Sequence, residues 1–263
     1  MKIVCCQLDI VWEDKAANYA RVQALIERAA PDEGSLVVLP EMFATGFSMN
    51  VEVISDSGSR ETAMFLAAMA SKYKVHMIGG VVTTAPEGRG RNEAAVFAPS
   101  GAEVARYCKI HPFSFGEESN HYVGGARIAL FDWGEWAVAP FICYDLRFPE
   151  VFRAAVRHTD GHAGAQLFTV IANWPAVREE HWITLLKARA IENQAYVAGV
   201  NRCGSGGKLA YSGRSLIIDP RGQVLADAGG EEGTITADLD LPALLAYRRE
   251  FPALNDMRPE YAG

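Results

Sequence analysis

Phe141-Ile142-Cys143-Tyr144-Asp145-Leu146-Arg147-Phe148-Pro149 is the stretch on which the reading of this chain turns. An apolar run from Trp136 to Ile142 stops abruptly at a cysteine. Polar and aromatic residues follow at once, and a helix-like segment starts at Glu150. Strand, sharp turn and helix start, with a thiol at the bend, is how α/β folds present a nucleophile. The turn lifts the sulfur clear of the sheet, and the free N–H groups of the turn face the reacting carbonyl. A free cysteine is more often a small buried hydrophobe. The rest of the chain must therefore supply reasons to prefer chemistry at Cys143.

Outward from this turn the pattern alternates. Towards the N-terminus, residues 2–10 read as a strand and Asn18 to Ala30 as a helix, with Val22, Leu25 and Ile26 at helical spacing. Ser35 to Leu39 is a short apolar strand, Glu61 to Tyr73 a helix and Val75 to Thr83 a strand. Ala94–Phe97 and Glu103–Tyr107 form a hairpin around Pro99-Ser100-Gly101. Beyond Cys143 come a helix at about 150–158, a strand Leu167 to Ala172, a helix Glu179 to Asn193 and a strand Tyr196 to Val200. A second hairpin, Ser215–Ile218 and Gln223–Leu225, turns at Pro220-Arg221-Gly222. Phe97-Ala98-Pro99-Ser100-Gly101 lines up with Ile218-Asp219-Pro220-Arg221-Gly222. The halves thus predict a two-fold internal arrangement of two sheets face to face with helices outside, although common turn chemistry gives the same residues. Gly204-Ser205-Gly206-Gly207-Lys208 reads as a flexible loop, not a linker, so residues 1–263 are expected to form one domain. The segment at about 241–263 reads as a helix from Leu241 to Ala246 and then an extended, partly apolar tail, which needs a surface to lie on, such as a neighbouring subunit.

Composition removes several function classes. The 263 residues are 49% hydrophobic and 22% charged, ordinary for a folded protein. Twenty-five Lys and Arg against 32 Asp and Glu leave a net charge of −7, with no basic cluster to serve nucleic acid. No apolar run approaches the roughly 18 residues of a membrane span. Met1-Lys2-Ile3-Val4-Cys5-Cys6-Gln7-Leu8 turns polar too quickly for a signal peptide. Five cysteines, Cys5, Cys6, Cys108, Cys143 and Cys203, form no CxxC pair, which argues against a disulfide framework or structural zinc and fits a reducing cytoplasm. The six histidines (His76, His111, His121, His158, His162 and His181) show neither HExxH nor HxH, so a metal enzyme is a weak hypothesis.

A thiol attacking an acyl carbon needs a base, a positive charge and a proton for the leaving group. No histidine sits where one would point into a cleft. Glu41 does: it follows the buried strand Leu36-Val37-Val38-Leu39-Pro40 and precedes Met42-Phe43-Ala44-Thr45-Gly46-Phe47. Strand-end glutamates are commonly solvated, but apolar company is the setting in which a carboxylate serves as a general base near neutral pH. Lys109 also stands at a strand end, before Ile110-His111-Pro112-Phe113, where a plain surface lysine would meet a polar loop. Glu118 follows within ten residues; by itself a loop acid pair, Glu117-Glu118, is a weak signal.

Three pieces occur in order: Leu39-Pro40-Glu41, Tyr107-Cys108-Lys109-Ile110-His111 and Cys143-Tyr144-Asp145-Leu146-Arg147-Phe148-Pro149-Glu150. Ala172-Asn173-Trp174-Pro175 and Ala188-Arg189-Ala190-Ile191-Glu192-Asn193-Gln194-Ala195-Tyr196-Val197 join them. Together they resemble the nitrilase superfamily of carbon–nitrogen hydrolases, over about residues 2 to 255, and most resemble its ω-amidase branch. The resemblance implies an α/β fold, a four-layer-forming α-β-β-α sandwich that dimerises into an α-β-β-α-α-β-β-α assembly, a homodimer or higher homo-oligomer. It implies a Glu–Lys–Cys triad at Glu41, Lys109 and Cys143, with a second glutamate at Glu118. Pro112 departs from the expected Lys-x-His-Leu-Phe and reshapes the loop after the lysine.

On this reading Cys143 attacks an amide, Glu41 moves the protons, and Lys109 with the backbone N–H of Tyr144 holds the oxyanion. A thioester forms and is hydrolysed, with no cofactor and no metal. The substrate class implied is the ω-amide of a small keto-dicarboxylate, of the 2-oxoglutaramate or 2-oxosuccinamate type. Its distal carboxylate needs a cation, and Arg147 is nearest in sequence, although a structural pair with Asp145 explains that arginine as well. Trp174, Phe47, His111, Phe115, Phe43 and Tyr144 are candidates for the pocket wall, each also explicable as core. Rival readings are an N-carbamoyl amino acid or deaminated-glutathione amidase, a nitrile hydrolase, and, from another class, an inactive interaction scaffold.

Overall fold

The computed structural model describes residues 1–157 and 164–258. In the first half, β1 (Lys2–Gln7), β2 (Leu36–Val38) and β3 (His76–Thr84) are apolar on both faces because both faces are covered. Ile3, Cys5, Leu36 and Val38 face a second sheet. Val4, Cys6 and Val37 face two helices, α1 (Lys15–Ala29) and α3 (Glu61–Tyr73), through Val22, Leu25, Ile26, Leu66 and Ala70. Helix α1 starts earlier than its apolar spacing predicts. Asp14 caps it by accepting from the Ala17 amide at 3.0 Å, and Ala30 ends it in a left-handed conformation. A four-residue helix, α2 (Val51–Ile54), lies between α1 and α3. β4 (Gly90–Phe97) and β5 (Glu103–Cys108) complete the predicted hairpin, β4 beginning four residues before the expected Ala94.

The second half holds α4 (Glu118–His121), β6 (Phe131–Trp133), β7 (Trp136–Ile142), α5 (Pro149–Ala155), β8 (Leu167–Ala172), α6 (Glu179–Asn193) and β9 (Tyr196–Asn201). There follow β10 (Cys203–Gly206), β11 (Leu209–Ser212), β12 (Leu216–Ile218), β13 (Val224–Asp227), β14 (Gly233–Asp238) and α7 (Leu241–Glu250). Two six-stranded sheets run β14-β1-β2-β3-β4-β5 and β13-β12-β9-β8-β7-β6. Their plans match. Each has a parallel trio, β1-β2-β3 and β7-β8-β9, an antiparallel strand beside the first member, and an antiparallel hairpin beyond the last. Both hairpins shift register at the same place, at Val96/Phe97 and at Ile217/Ile218, just before the aligned turns. One apolar core spans the facing sheets and continues into α5 and α6 through Phe152, Trp182, Leu186 and Ala190. The molecule is an α-β-β-α sandwich.

Several expectations need correction. Residues 204–208 are no free loop; they belong to the β10–β11 hairpin, in which Cys203 pairs with Ser212 and Gly206 with Leu209. β1 ends at Gln7, and Asp9 makes only a bridge to Cys203. α7 runs on to Glu250, started by Asp240, which accepts from the Ala243 amide at 2.9 Å. The helix expected at about 150–158 spans Pro149–Ala155; residue 158 and the last residues of the expected tail, 259–263, lie outside the described residues, as do His158 and His162. Among the described residues no helix is long and apolar enough to cross a membrane.

The fold gathers the carboxyl ends of strands from both sheets. Glu41 follows β2, Lys109 follows β5, Cys143 follows β7 and Asn173 follows β8. Gly80, on β3, makes room for the first of these. A Cβ there would sit 2.1 Å from the Met42 amide nitrogen and 2.8 Å from the Glu41 Cα. Gly80→Ala is expected to cost about 1–3 kcal/mol, read as a lower thermal midpoint, and to lower turnover because the displaced backbone carries Glu41. A variant with unchanged melting and turnover would show that this close approach is not needed.

Candidate active site

Lys109 is 1% exposed and Glu41 and Glu118 are 0% exposed, yet all three meet. Lys109 Nζ donates to Glu41 Oε1 at 2.9 Å and to Glu118 Oε2 at 2.8 Å. Burial works against the ammonium, but Glu118 and Glu41 outweigh it and hold the Lys109 pKa well above its ordinary value. The remaining carboxylate lone pairs are also served. Asn92 Nδ2 bridges the acids, donating to Glu41 Oε1 at 2.7 Å and Glu118 Oε1 at 2.9 Å. The Asn173 amide donates to Glu41 Oε2 at 2.8 Å, and the Phe113 amide to Glu118 Oε2 at 2.5 Å. Glu118 escapes the solvated fate of loop acids because it begins α4, folded back by the Ser114–Gly116 turn.

Cys143 adopts φ 46°, a left-handed conformation unusual for a residue with a side chain. It opens a short 3-10 turn, Cys143–Arg147, so the Tyr144 amide stands at a helical start where N–H groups lack intrahelical acceptors. Asp145, 0% exposed, anchors the turn. Its Oδ2 accepts from Tyr107 Oη at 2.8 Å and the Ile142 amide at 3.2 Å; its Oδ1 accepts from the His111 amide at 3.0 Å and contacts His111 Nδ1 at 2.9 Å. One carboxylate thus ties the Cys143 turn to the segment carrying Lys109.

Cys143 lies in a cavity lined by Phe47, Phe113, Tyr144, Arg147, Asn173, Trp174, Pro175, Arg178, Leu209 and Tyr211. The floor at Asn173-Trp174 is fixed by Asn201, which accepts from the Trp174 amide at 2.8 Å and donates to the Trp174 carbonyl at 3.0 Å. Trp174 Nε1 donates to the Arg178 carbonyl at 2.7 Å. Among the described residues no cluster of His, Cys, Asp or Glu is placed to hold a metal ion.

The structure therefore brings Glu41, Lys109, Glu118, Cys143, Tyr144, Arg147, Phe47 and Trp174 to one place, and leaves three candidates out. Phe115 is 84% exposed: Phe113 is held inward through its amide bond to Glu118, and the tight turn after it sends Phe115 to solvent. His111 stacks on Phe148, ring centroids 3.7 Å apart, and is committed to Asp145. Phe43 packs with Tyr19 and Phe65 in the core under α1 and α3. The alternative pairing of Arg147 with Asp145 is also absent, because Asp145 is occupied by Tyr107, His111 and Ile142. Arg147 instead lies over the Trp174 ring at 4.8 Å. Sequence reasoning missed Asn92, Arg178 and Tyr211. Arg178 had a signal: a cation four residues after Trp174, opening the helix that follows the catalytic-layer strand.

Residues 2–249 match the sequence family described as carbon-nitrogen hydrolase. The chain belongs to that family. Similar carbon–nitrogen hydrolases include the omega-amidase YafV of Escherichia coli K12, 38% identical over 97% of this chain and 96% of that protein. The 2-oxoglutaramate amidase of Bacillus subtilis is 34% identical over 98% of both. A solved structure, XC1258 of Xanthomonas campestris, superposes with a TM-score of 0.90 at 35% identity, covering 98% of this chain and 97% of that one; it carries an arsenic adduct in its active site. This carbon–nitrogen hydrolase therefore has the nitrilase-superfamily sandwich and acts on non-peptide carbon–nitrogen bonds.

Electrostatics at the thiol separate two roles for Glu41. Burial first, then the negative charges of Glu41 and Glu118, push the Cys143 thiol well above its ordinary pKa; Lys109 and the Asn173 amide pull the other way. Burial and the neighbouring carboxylates thus favour the neutral thiol over the thiolate. Glu41→Gln removes a negative charge beside the sulfur. The pH midpoint for Cys143 modification by a neutral methanethiosulfonate, read by peptide mass spectrometry, should move down. Amide turnover should nevertheless fall about 10²–10⁴-fold through loss of the base. An unchanged or raised midpoint would mean that Glu41 exerts no charge effect on the thiol.

Proposed function

We propose that this chain is an ω-amidase that releases ammonia from the monoamide of a short 2-oxo-dicarboxylate, of the 2-oxoglutaramate or 2-oxosuccinamate type. The observation that carries the reading is the junction of a cavity thiol, a buried acid–lysine–acid cluster and an arginine in the cavity wall. The named relatives support the substrate class. Glu41 takes the Cys143 proton as sulfur attacks the amide carbon. The carbonyl oxygen becomes an oxyanion beside Lys109 and the Tyr144 amide. Glu41 then delivers the proton to nitrogen, the carbon–nitrogen bond breaks, ammonia leaves and a thioester remains. Water gives a proton to Glu41 and attacks the thioester, and the thiol is restored as the acid departs. No cofactor enters this cycle. Glu118 holds Lys109 in place, and Arg147 receives the distal carboxylate, with Phe47 and Trp174 as walls.

The same reading extends to the assembly. Residues 1–263 work as one domain, and Leu245 and Phe251, 37% and 59% exposed on and just after α7, offer apolar surface for a second subunit. All five cysteines are free, which suits a reducing cytoplasm.

The reaction has a covalent test. Cys143→Ala should abolish ammonia release from 2-oxoglutaramate, and a slowly hydrolysed amide should leave an acyl adduct on Cys143 of the wild type by peptide mass mapping. Lys109→Met should cost about 10²–10³ in kcat, the usual cost of a lost oxyanion donor. An adduct on Cys5, Cys6, Cys108 or Cys203 instead would overturn the assignment, and faster turnover of N-carbamoyl amino acids or deaminated glutathione would overturn the substrate class.

A further inference from the structure

Arg147 and Arg178 both line the cavity that holds Cys143, and among the described residues no Asp or Glu lines it with them. Neither guanidinium is ion-paired to a carboxylate of the described residues. Arg147 Nη2 meets His181 Nδ1 at 3.2 Å and lies over Trp174; Arg178 lies over Phe113 at 5.6 Å. The adjacent acid, Glu179, is taken by Arg214 at 3.0 Å. The buried acids Glu41 and Glu118 are taken by Lys109. Burial and then the charge of Arg178 both hold the Arg147 pKa below its ordinary value, so the two cations feel one another across the site. Two like charges beside one apolar cavity disfavour the empty site, and an anion removes that penalty.

We propose that Arg178 and Arg147 together form a subsite that takes a 2-oxo-carboxylate and rejects the corresponding 2-amino acid. This rests on the amidase reading above and deepens it. A 2-oxo acid presents coplanar carboxylate and keto oxygens, all acceptors, which two planar guanidinium forks divide between them. A 2-amino acid carries an ammonium where the keto oxygen would be. That ammonium faces two guanidiniums and finds no cavity-lining carboxylate among the described residues. Discrimination between the oxo amide and its parent amino acid amide then comes from repulsion as much as attraction. Substitution at Arg178 spares the floor, because Trp174 is held by the Arg178 backbone carbonyl, not its side chain.

The test compares 2-oxoglutaramate, L-glutamine and butanamide as substrates of the wild type, Arg178→Gln, Arg178→Lys and Arg147→Gln, with circular dichroism to verify folding. Arg178→Gln should raise KM for 2-oxoglutaramate about tenfold to a hundredfold with kcat within about threefold. It should leave butanamide turnover within about threefold and shrink the preference for 2-oxoglutaramate over glutamine about tenfold or more. Arg178→Lys, which keeps the charge but not the fork, should recover part of the loss. An unchanged KM and preference in Arg178→Gln would overturn the role of Arg178, and so would an equal loss on butanamide, which would mark a structural effect. A wild type that hydrolyses butanamide as efficiently as 2-oxoglutaramate would instead overturn the underlying substrate class.

Discussion

Lys109 carries a positive charge where only 1% of its surface reaches solvent, and the site depends on how that charge is held. Taking an ammonium and two carboxylates out of water costs several kcal/mol per ion, and their attraction offsets this only when every remaining donor and acceptor is satisfied. Asn92, Asn173 and the Phe113 amide complete that set. Each comes from a different element: β4, the end of β8, and the loop before α4. The charge cluster therefore works as a geometric constraint. It is comfortable only when strands of both sheets and the α4 turn stand in one arrangement, and that arrangement puts Glu41 beside the thiol. Burial first, and then the excess negative charge of this cluster, favour the neutral sulfur. In the proposed reaction the site works with a carboxylate base and not a preformed thiolate, and among the described residues no histidine lines the cavity.

The internal two-fold plan gives this cluster its reach. β2 and β8 are the middle strands of the two parallel trios, and their carboxyl ends meet. Asn173, after β8, donates through its backbone amide to the Glu41 carboxylate and through Nδ2 to the Glu41 carbonyl at 2.7 Å. In open parallel sheets the carboxyl ends of the strands face the ligand crevice. Here the two sets of strand ends meet at one site, so Glu41 and Cys143 come from different sheets while each remains anchored at the end of a strand.

The sequence carried the strand ends well, because an apolar run that stops at a charged or nucleophilic residue is a local signal. Glu41 and Cys143 have it; Lys109 follows the mixed strand Glu103–Cys108 and is marked instead by the apolar and aromatic residues that come after it. The matching hairpin turns at Pro99 and Pro220 likewise pointed to two equivalent sheets, and the equal register shifts beside them support that reading. What was not legible depends on distance in sequence. Asn92 sits inside an ordinary strand pattern, and nothing local says that its amide bridges two acids. β14 joins the first sheet from the far end of the chain, pairing Lys2 with Asp238. Phe113 and Phe115 were indistinguishable by type; only the Phe113 amide bond to Glu118 decides which ring turns inward. Residues 204–208 look flexible from glycine content, yet cross-strand pairing and the Arg202 Nη2 bond to the Ser205 carbonyl at 2.7 Å order them.

The left-handed backbone at Cys143 ties these points together. For a residue with a Cβ, that conformation costs about 1–2 kcal/mol, and glycine would remove the cost along with the thiol. The turn persists because Asp145 over-determines it. Four polar contacts converge on one buried carboxylate, three of them from the Tyr107–His111 segment that carries Lys109. Relaxing Cys143 to an ordinary conformation would move Asp145 and leave a buried charge short of partners, a larger cost than the strain. The same bonds tie the turn that carries the sulfur to the segment that carries the lysine. Asp145 thus braces the site from behind, as a carboxylate that does not itself line the cavity.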